Sequence, residues 1–248
     1  NFSIFLKKFA SNNQQPKKDF YMSVEHIEII NSQYSYEDEN VTYPEILDLS
    51  NLSLNADRLI IDNSNVDLDV NTLKFNEGRG LKVTNLSGHY TYSPTQMRMD
   101  NLNIVTQDSN IKGDLIFNYA LEDLAEFVDK VKWEFTVDES VVNTNDLIPF
   151  YEGFGKNIDL YLDTKMTGVL NNFYLNNLDL RGANRSIIKG DLHLRDVASN
   201  PRNLIIEGTL DKIASNYYDL VNLLPGALLG NLPKSVADFG NVELTGTA

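Results

Sequence analysis

Cysteine is absent from the 248 residues, which removes disulfides, thiolate nucleophiles and cysteine metal sites while leaving the compartment open. Positive charge is scarce: 21 Lys and Arg stand against 35 Asp and Glu, giving a formal net charge of −14 and a pI near 4.6. The summed field repels polyphosphates and anionic membrane surfaces, and no clustered basic face offsets it, so no nucleic-acid partner is expected. No stretch approaches 18 consecutive apolar residues, and none is expected to cross a membrane as a helix. The opening Asn1 to Ala10 has neither an initiator Met nor the apolar core and cleavage site of a signal peptide. Asn241 to Ala248 stops in the middle of an alternating pattern, so the chain reads as an excerpt of a longer protein.

Catalytic motifs are missing as well: there is no nucleophile elbow, P-loop, H-E-x-x-H or complete EF-hand spacing. The three histidines, His26, His89 and His193, are scattered, and His193 sits between Leu192 and Leu194, which turns it to a polar face. A solvated His is the better account than a metal ligand. Asp67 and Asp69 flank Leu68 and share the wet side of a strand, while Glu37-Asp38-Glu39-Asn40 reads as an exposed turn. Acids paired for glycoside hydrolysis need opposed placement across a cleft, and solvated charge explains these ones more simply. The expectation is no catalytic residue, no metal and no cofactor.

What is present is strand signal. With 42% hydrophobic and 23% charged residues the chain has the composition of a folded protein. Beyond a polar lead-in, residues 1–19, apolar side chains recur at every second position, the period of a half-buried strand. The runs include Val66, Leu68, Val70; Met97, Met99; Ile111, Leu115, Phe117; Trp133, Phe135, Val137; Ile158, Leu160, Leu162, Met166; Ile188, Leu192, Leu194; and Leu204, Ile206, Leu210. Clusters such as Asp62 to Asn65, Gln107 to Asn110 and Gly182 to Arg185 separate them as hairpin turns. Helical spacing is confined to three short stretches: Leu121 to Val131, a turn capped by Asn145-Asp146, and Tyr217 to Leu224 capped by Ser215-Asn216 and stopped by Pro225-Gly226.

One phrase is written twice. Asn101-Leu102, a polar turn and Ile111-Lys-Gly-Asp-Leu115 match Asn177-Leu178, a polar turn and Ile188-Lys-Gly-Asp-Leu192. Downstream, Asn145-Asp-Leu, Phe154-Gly155 and Met166-Thr-Gly168 parallel Tyr218-Asp-Leu, Phe239-Gly240 and Leu244-Thr-Gly246. Residues 20–248 therefore read as a continuous array, with repeats spanning approximately 95–170 and 171–248. Gly113 and Gly190 lie inside strands, where a bend that curves the sheet is the preferred role.

The oily face needs a cover. Roughly eighteen large apolar side chains, each worth about 1.5 to 3 kcal/mol when removed from water, would be shielded by a second sheet or by lipid. Pattern alone favours a closed sandwich, because large exposed apolar surfaces are rare.

The phrases Phe75 to Gly88, Met99 to Ile104, Ser109 to Leu115, the Asn145 to Gly155 crossover and Ile188 to Leu192, taken in order from about Phe20 to the end, resemble the TamB branch of the AsmA-like family as found in Bacteroidota. The resemblance implies a mostly β fold, an elongated curved antiparallel sheet forming a taco-like groove, with a few short crossover helices. It further implies a periplasmic segment of a long parent protein, anchored in the inner membrane and reaching the outer membrane, that serves lipid transport and outer-membrane biogenesis without catalysis. A phospholipid or other acyl lipid would be the cargo, and an Omp85-type outer-membrane partner would bind through regions outside this chain. On this reading Met97, Met99, Leu102, Ile104, Ile111, Leu115, Phe117, Ile158, Leu160, Leu162, Met166, Leu178, Leu180, Ile188, Leu192, Leu194, Leu204, Ile206 and Leu210 line the groove. The alternatives are a structural or adhesive β-repeat with a sealed core and a carbohydrate-active β-sandwich.

Overall fold

A computed structural model describes residues 19–37, 46–150, 154–183, 186–198, 204–223 and 240–247. The lead-in up to residue 18, the Asp38 to Asn40 turn, Asn184-Arg185, Pro225-Gly226 and Phe239 lie outside the described residues.

Twelve strands pair in strict sequence order into one antiparallel sheet. They are β1 (Tyr21–Glu37), β2 (Ile46–Asp62), β3 (Asn65–Glu77), β4 (Lys82–Ser93), β5 (Gln96–Thr106), β6 (Asn110–Asn118), β7 (Lys132–Asn143), β8 (Asp159–Val169), β9 (Asn172–Gly182), β10 (Ser186–Arg195), β11 (Ile205–Asn216) and β12 (Asn241–Thr247). The period-two alternation gives each strand one apolar and one polar face. Short turns rich in Asn fix the hairpins: Asn63 takes φ +54° between β2 and β3, a conformation that costs Asn less than most residues.

The helical stretches are short. A 3-10 turn at Leu121–Glu126 runs into α1 (Phe127–Lys130), and α2 (Thr144–Leu147) and α3 (Tyr217–Leu223) follow β7 and β11. The cap of α2 is Asn143 rather than Asn145-Asp146: its side-chain oxygen accepts the Asn145 N–H at 2.9 Å. Asp146 instead accepts hydrogen bonds from the Thr106 hydroxyl at 2.6 Å and from the Ser109 hydroxyl, which ties the crossover to the β5–β6 hairpin. At α3 the Asn216 side chain accepts the Asp219 N–H at 3.0 Å, as the capping pattern expects.

No strand among the described residues lies face to face with a second sheet; each packs against its neighbours in the order. The closed sandwich favoured by the apolar pattern is therefore overturned. The reason lies in the pairing. Register shifts fall near the middle of every ladder, for example between Met99 and Leu102, Val137 and Ser140, Asp163 and Lys165, and Gly190 and Leu192. A bulge bends and twists its strand, and bulges aligned across a sheet crease it. The apolar face folds toward itself along that crease, giving a long open trough.

Candidate functional site

The floor of the trough is the crease. Ala56 pairs with Val70, Val70 with Gly88, Leu102 with Gly113, Gly113 with Val137, Val137 with Thr164, Leu178 with Gly190 and Gly190 with Leu210. Directly opposed residues share a face, and the three runs meet at bulges, where Gly88 lies against the Asp100 and Asn101 carbonyls and the Thr164 hydroxyl donates to the Asn176 carbonyl at 3.1 Å, so these positions form one row across the sheet. Ala56, Val70, Leu102, Val137, Thr164 and Leu178 are all 8% exposed or less. Bulky and small side chains alternate along much of the row, which lets the two half-sheets close down on it.

The repeated phrase encodes this floor. Asn101 and Asn177 each adopt φ +52° and make the bulge. The next residue, Leu102 or Leu178, drops onto the floor opposite Gly113 or Gly190. The backbone N–H freed by the bulge donates to the following aspartate on the neighbouring strand: Asn101 to Asp114 at 2.8 Å and Asn177 to Asp191 at 2.7 Å. A third copy is disguised in sequence, with Glu139 at φ +42° donating to Asp163 at 2.7 Å. The bend expected of the glycines is thus made by the asparagines. Gly113 and Gly190 are needed because a Cβ there would collide with the carbonyl oxygens of Thr136 and Thr209.

From the floor, two apolar walls rise to the two rows of turns. Wall 1 runs toward the β2–β3, β4–β5 and β8–β9 turns and carries Tyr90 opposite Met99, Tyr92 opposite Met97, Met97 opposite Phe117, Leu115 opposite Phe135 and Leu192 opposite Leu175. Wall 2 runs toward the β5–β6 and β9–β10 turns and carries Leu86 opposite Ile104, Ile104 opposite Ile111, Leu162 opposite Leu180 and Ile188 opposite Leu180. Burial pushes the Tyr90 and Tyr92 hydroxyls up from the usual phenol range, and Tyr119 higher still, chiefly by desolvation with Tyr92 and Tyr90 adding to it. Tyr119 donates to the Ser93 carbonyl at 2.9 Å.

The 3-10 turn and α1 form a strap at the wall 1 rim. Phe127 packs on Phe117 with ring centroids 5.3 Å apart, Val131 is buried, and the Asn171 N–H of the β8–β9 turn donates to the Val128 carbonyl at 3.1 Å. Beneath it Trp133 meets Phe173 edge-on at 5.4 Å.

The opposite face of the sheet is charged. Asp57 accepts from His26 at 2.7 Å, and Asp69 is held between Arg58 at 2.5 Å and His89 at 2.7 Å. The hydrogen bond from His26 lowers the Asp57 pKa and that from Arg58 lowers the Asp69 pKa. Asp179 lies between Arg181 at 2.6 Å and Lys189 at 2.7 Å, and its pKa falls to about 2, mainly through the Arg181 hydrogen bond. His193 stacks on Tyr174 at 4.1 Å on this face. The polar placement of His193 and of Asp67 and Asp69 follows the alternation. Among the described residues no group of three or more His, Cys, Asp or Glu is arranged to hold a metal ion, and no helix is long and apolar enough to cross a membrane.

Of the nineteen residues expected to line the groove, those within strands all fall on the trough face by register, and Ile158 and Leu204 lie just ahead of β8 and β11. Three of them offer almost no free surface: Leu102, Leu160 and Leu178 are 3%, 7% and 4% exposed. Leu102 and Leu178 are floor, and Leu160 packs over Gly182. Several trough residues escaped the alternation because the bulge switches parity within a strand. In β9 the trough side passes from Leu178 and Leu180 to Phe173 and Leu175, and in β3 from Val66, Leu68 and Val70 to Leu73 and Phe75. The readable signal was Asn before Leu, an αL-tolerant residue ahead of a buried one. The trough also extends to β1, where Met22 faces Ile61 and Ile27 faces Ala56. In comparisons with known proteins no family model, no curated protein and no solved structure matches the chain.

Proposed function

We propose that this chain is a non-enzymatic, lipid-carrying segment: a periplasmic stretch of a bridge-like protein whose trough shields phospholipid acyl chains in transit between inner and outer membranes. One observation supports the reading above others. Among the described residues an apolar face crosses eleven consecutive strands, β1 to β11, with no second layer over it, a lane of about 50 Å at the usual strand spacing. Folded proteins rarely leave an apolar lane of this size in water, and where they do it marks a contact site for a ligand, a membrane or another protein.

The dimensions favour a thin, flexible one. The floor is closed and the walls face each other across a crease, so a flat protein surface would meet only the rims. An acyl chain exposed to water costs about 0.8 kcal/mol per CH2, on the order of 10 kcal/mol for a sixteen-carbon chain. Moving from bilayer to trough exchanges one apolar surface for another, so this cost is avoided while the net change stays small. Dispersion contacts have no preferred register along the lane, and the chain can slide. Head groups remain in water beyond the rims. The anchor in the inner membrane, the role in outer-membrane biogenesis and contact with an Omp85-type partner belong, on this reading, to the parent protein outside this chain.

Purified protein should carry phospholipid detectable by mass spectrometry, and photo-reactive residues at Leu115 and Leu192 should crosslink to it. Empty protein together with no lipid crosslink at either position would leave a structural spacer as the better reading.

A further inference from the structure

The two walls are chemically different. All four methionines of the chain, Met22, Met97, Met99 and Met166, stand on wall 1. From β4 to β9 wall 1 also carries every aromatic ring of the trough face within the strands, including Tyr90, Phe135 and Phe173, whereas wall 2 over the same strands is built from Val, Leu and Ile with the small polar residues Ser140 beside the floor and Thr106 at the rim. Register alone does not require this, since both walls are apolar and both belong to the same strands.

We infer that wall 1 is the contact surface for the acyl chain of a phospholipid and wall 2 its stiff backing, an assignment that rests on the lipid-carrying reading. Methionine is unbranched, turns about three bonds and carries a polarisable sulfur, so it refits to a chain in any position. Aromatic rings offer broad, rigid contact area with little side-chain entropy to lose. Together they make many equivalent contacts with a methylene chain and no single preferred one, which is what a lane for sliding needs. Branched aliphatic residues have few rotamers and hold the opposite half-sheet at fixed distance. The strap borders this surface: Phe127 rests on Phe117, at the rim of the Met and aromatic wall.

The experiment uses the chain with 13C-labelled Met and Leu methyl groups. It is incubated with phosphatidylcholine vesicles whose lipid bears a nitroxide near the acyl terminus, then separated from the vesicles. Methyl signals of Met97, Met99 and Met166 are expected to broaden several-fold more than those of Leu162 and Leu180 on wall 2. Equal or stronger broadening at Leu162 and Leu180 would overturn the wall assignment while leaving lipid binding intact. No broadening on either wall, with no nitroxide retained by the protein, would overturn both. A volume-conserving M97L/M99L/M166L variant is expected to keep the fold, read by circular dichroism, and to retain severalfold less lipid. A matched L162M/L180M variant is expected to retain the wild-type amount; the reverse ranking of the two variants would also sink the assignment.

Discussion

The backbone N–H of Asn177 donates to the carboxylate of Asp191 across the β9–β10 ladder at 2.7 Å, and Asn177 itself sits at φ +52°. A bulge leaves a donor without its ladder partner, and the aspartate supplied by the neighbouring strand satisfies it. Asp191→Ala is therefore expected to cost about 1 kcal/mol in urea unfolding, less than a hydrogen bond to a charged acceptor usually contributes, because the pair is exposed. Exchange of the Asn177 amide with deuterium should accelerate while that of amides distant from the crease does not. Combined with Asp114→Ala, whose cap on Asn101 lies several strands away, the two losses should add.

Gly190 should tolerate substitution less well than its capping neighbour. It takes φ +142° beneath Leu178 and beside the Thr209 carbonyl. Gly190→Ala combines a disfavoured backbone region, about 1 to 3 kcal/mol, with a collision against backbone that cannot swing aside. Its unfolding midpoint should drop further than that of Asp191→Ala. An equal or smaller drop would show that the crease has room to relax.

The strand content, the hairpins and the identity of the oily side were legible because period two survives unbroken in β6, β8 and β10. Two things were not. Alternation tells which side of a strand is apolar but not what covers it, so a sandwich and a trough look alike until the bulges are located. The floor was hidden because its residues differ in size: Ala56, Gly88 and Thr164 share a row with Val137 and Leu178, and no hydrophobic pattern links them. The copy at Glu139 and Asp163 shows the limit in one example. Its geometry repeats that of Asn101 with Asp114, yet neither the Asn-Leu nor the Gly-Asp spelling is kept.

Acid should weaken the charged face in a defined window. Asp179 has its pKa lowered from 3.8 to about 2, first by the Arg181 hydrogen bond and then by Lys189, against an opposing desolvation. Between about pH 4 and pH 2 the unfolded chain binds the proton that the folded chain refuses, so stability is present above that range and falls as pH falls through it. Asp179→Asn removes this contribution. Its stability should depend less steeply on pH over the same window than the wild type, with solvent exposure of the pair keeping the difference modest.

A charge placed in the trough should block lipid where the same charge on the outer face does not. Leu192 stands on wall 1 beside Leu175, and Tyr174, 48% exposed, stands on the opposite face. Leu192→Lys and Tyr174→Lys change the net charge equally. Desolvating the ammonium beside an acyl chain costs several kcal/mol, and each 1.4 kcal/mol is a factor of ten. Lipid recovered with Leu192→Lys should fall at least about tenfold, with Tyr174→Lys near wild type. Equal retention by both would argue that lipid does not lie in the trough.

The strap offers a test of how lipid enters. Phe127 holds it to wall 1 through Phe117, while its other anchors, the Asn171 N–H to the Val128 carbonyl and the Asn171 side-chain N–H to Asp129 at 3.1 Å, come from the β8–β9 turn. Phe127→Ala removes the apolar anchor and leaves the sheet pairing of β6 and β7 untouched. Because the ring is only partly buried, the global cost should be about 1 kcal/mol, near the size of one aromatic pair, while amides of Leu121 to Lys130 should exchange faster. If lipid passes over this rim, transfer between vesicles should speed up with no change in the amount bound at equilibrium, since the strap then limits passage and not the depth of the site. If instead lipid enters only at the ends of the lane, the amides will open and the transfer rate will stay as it was.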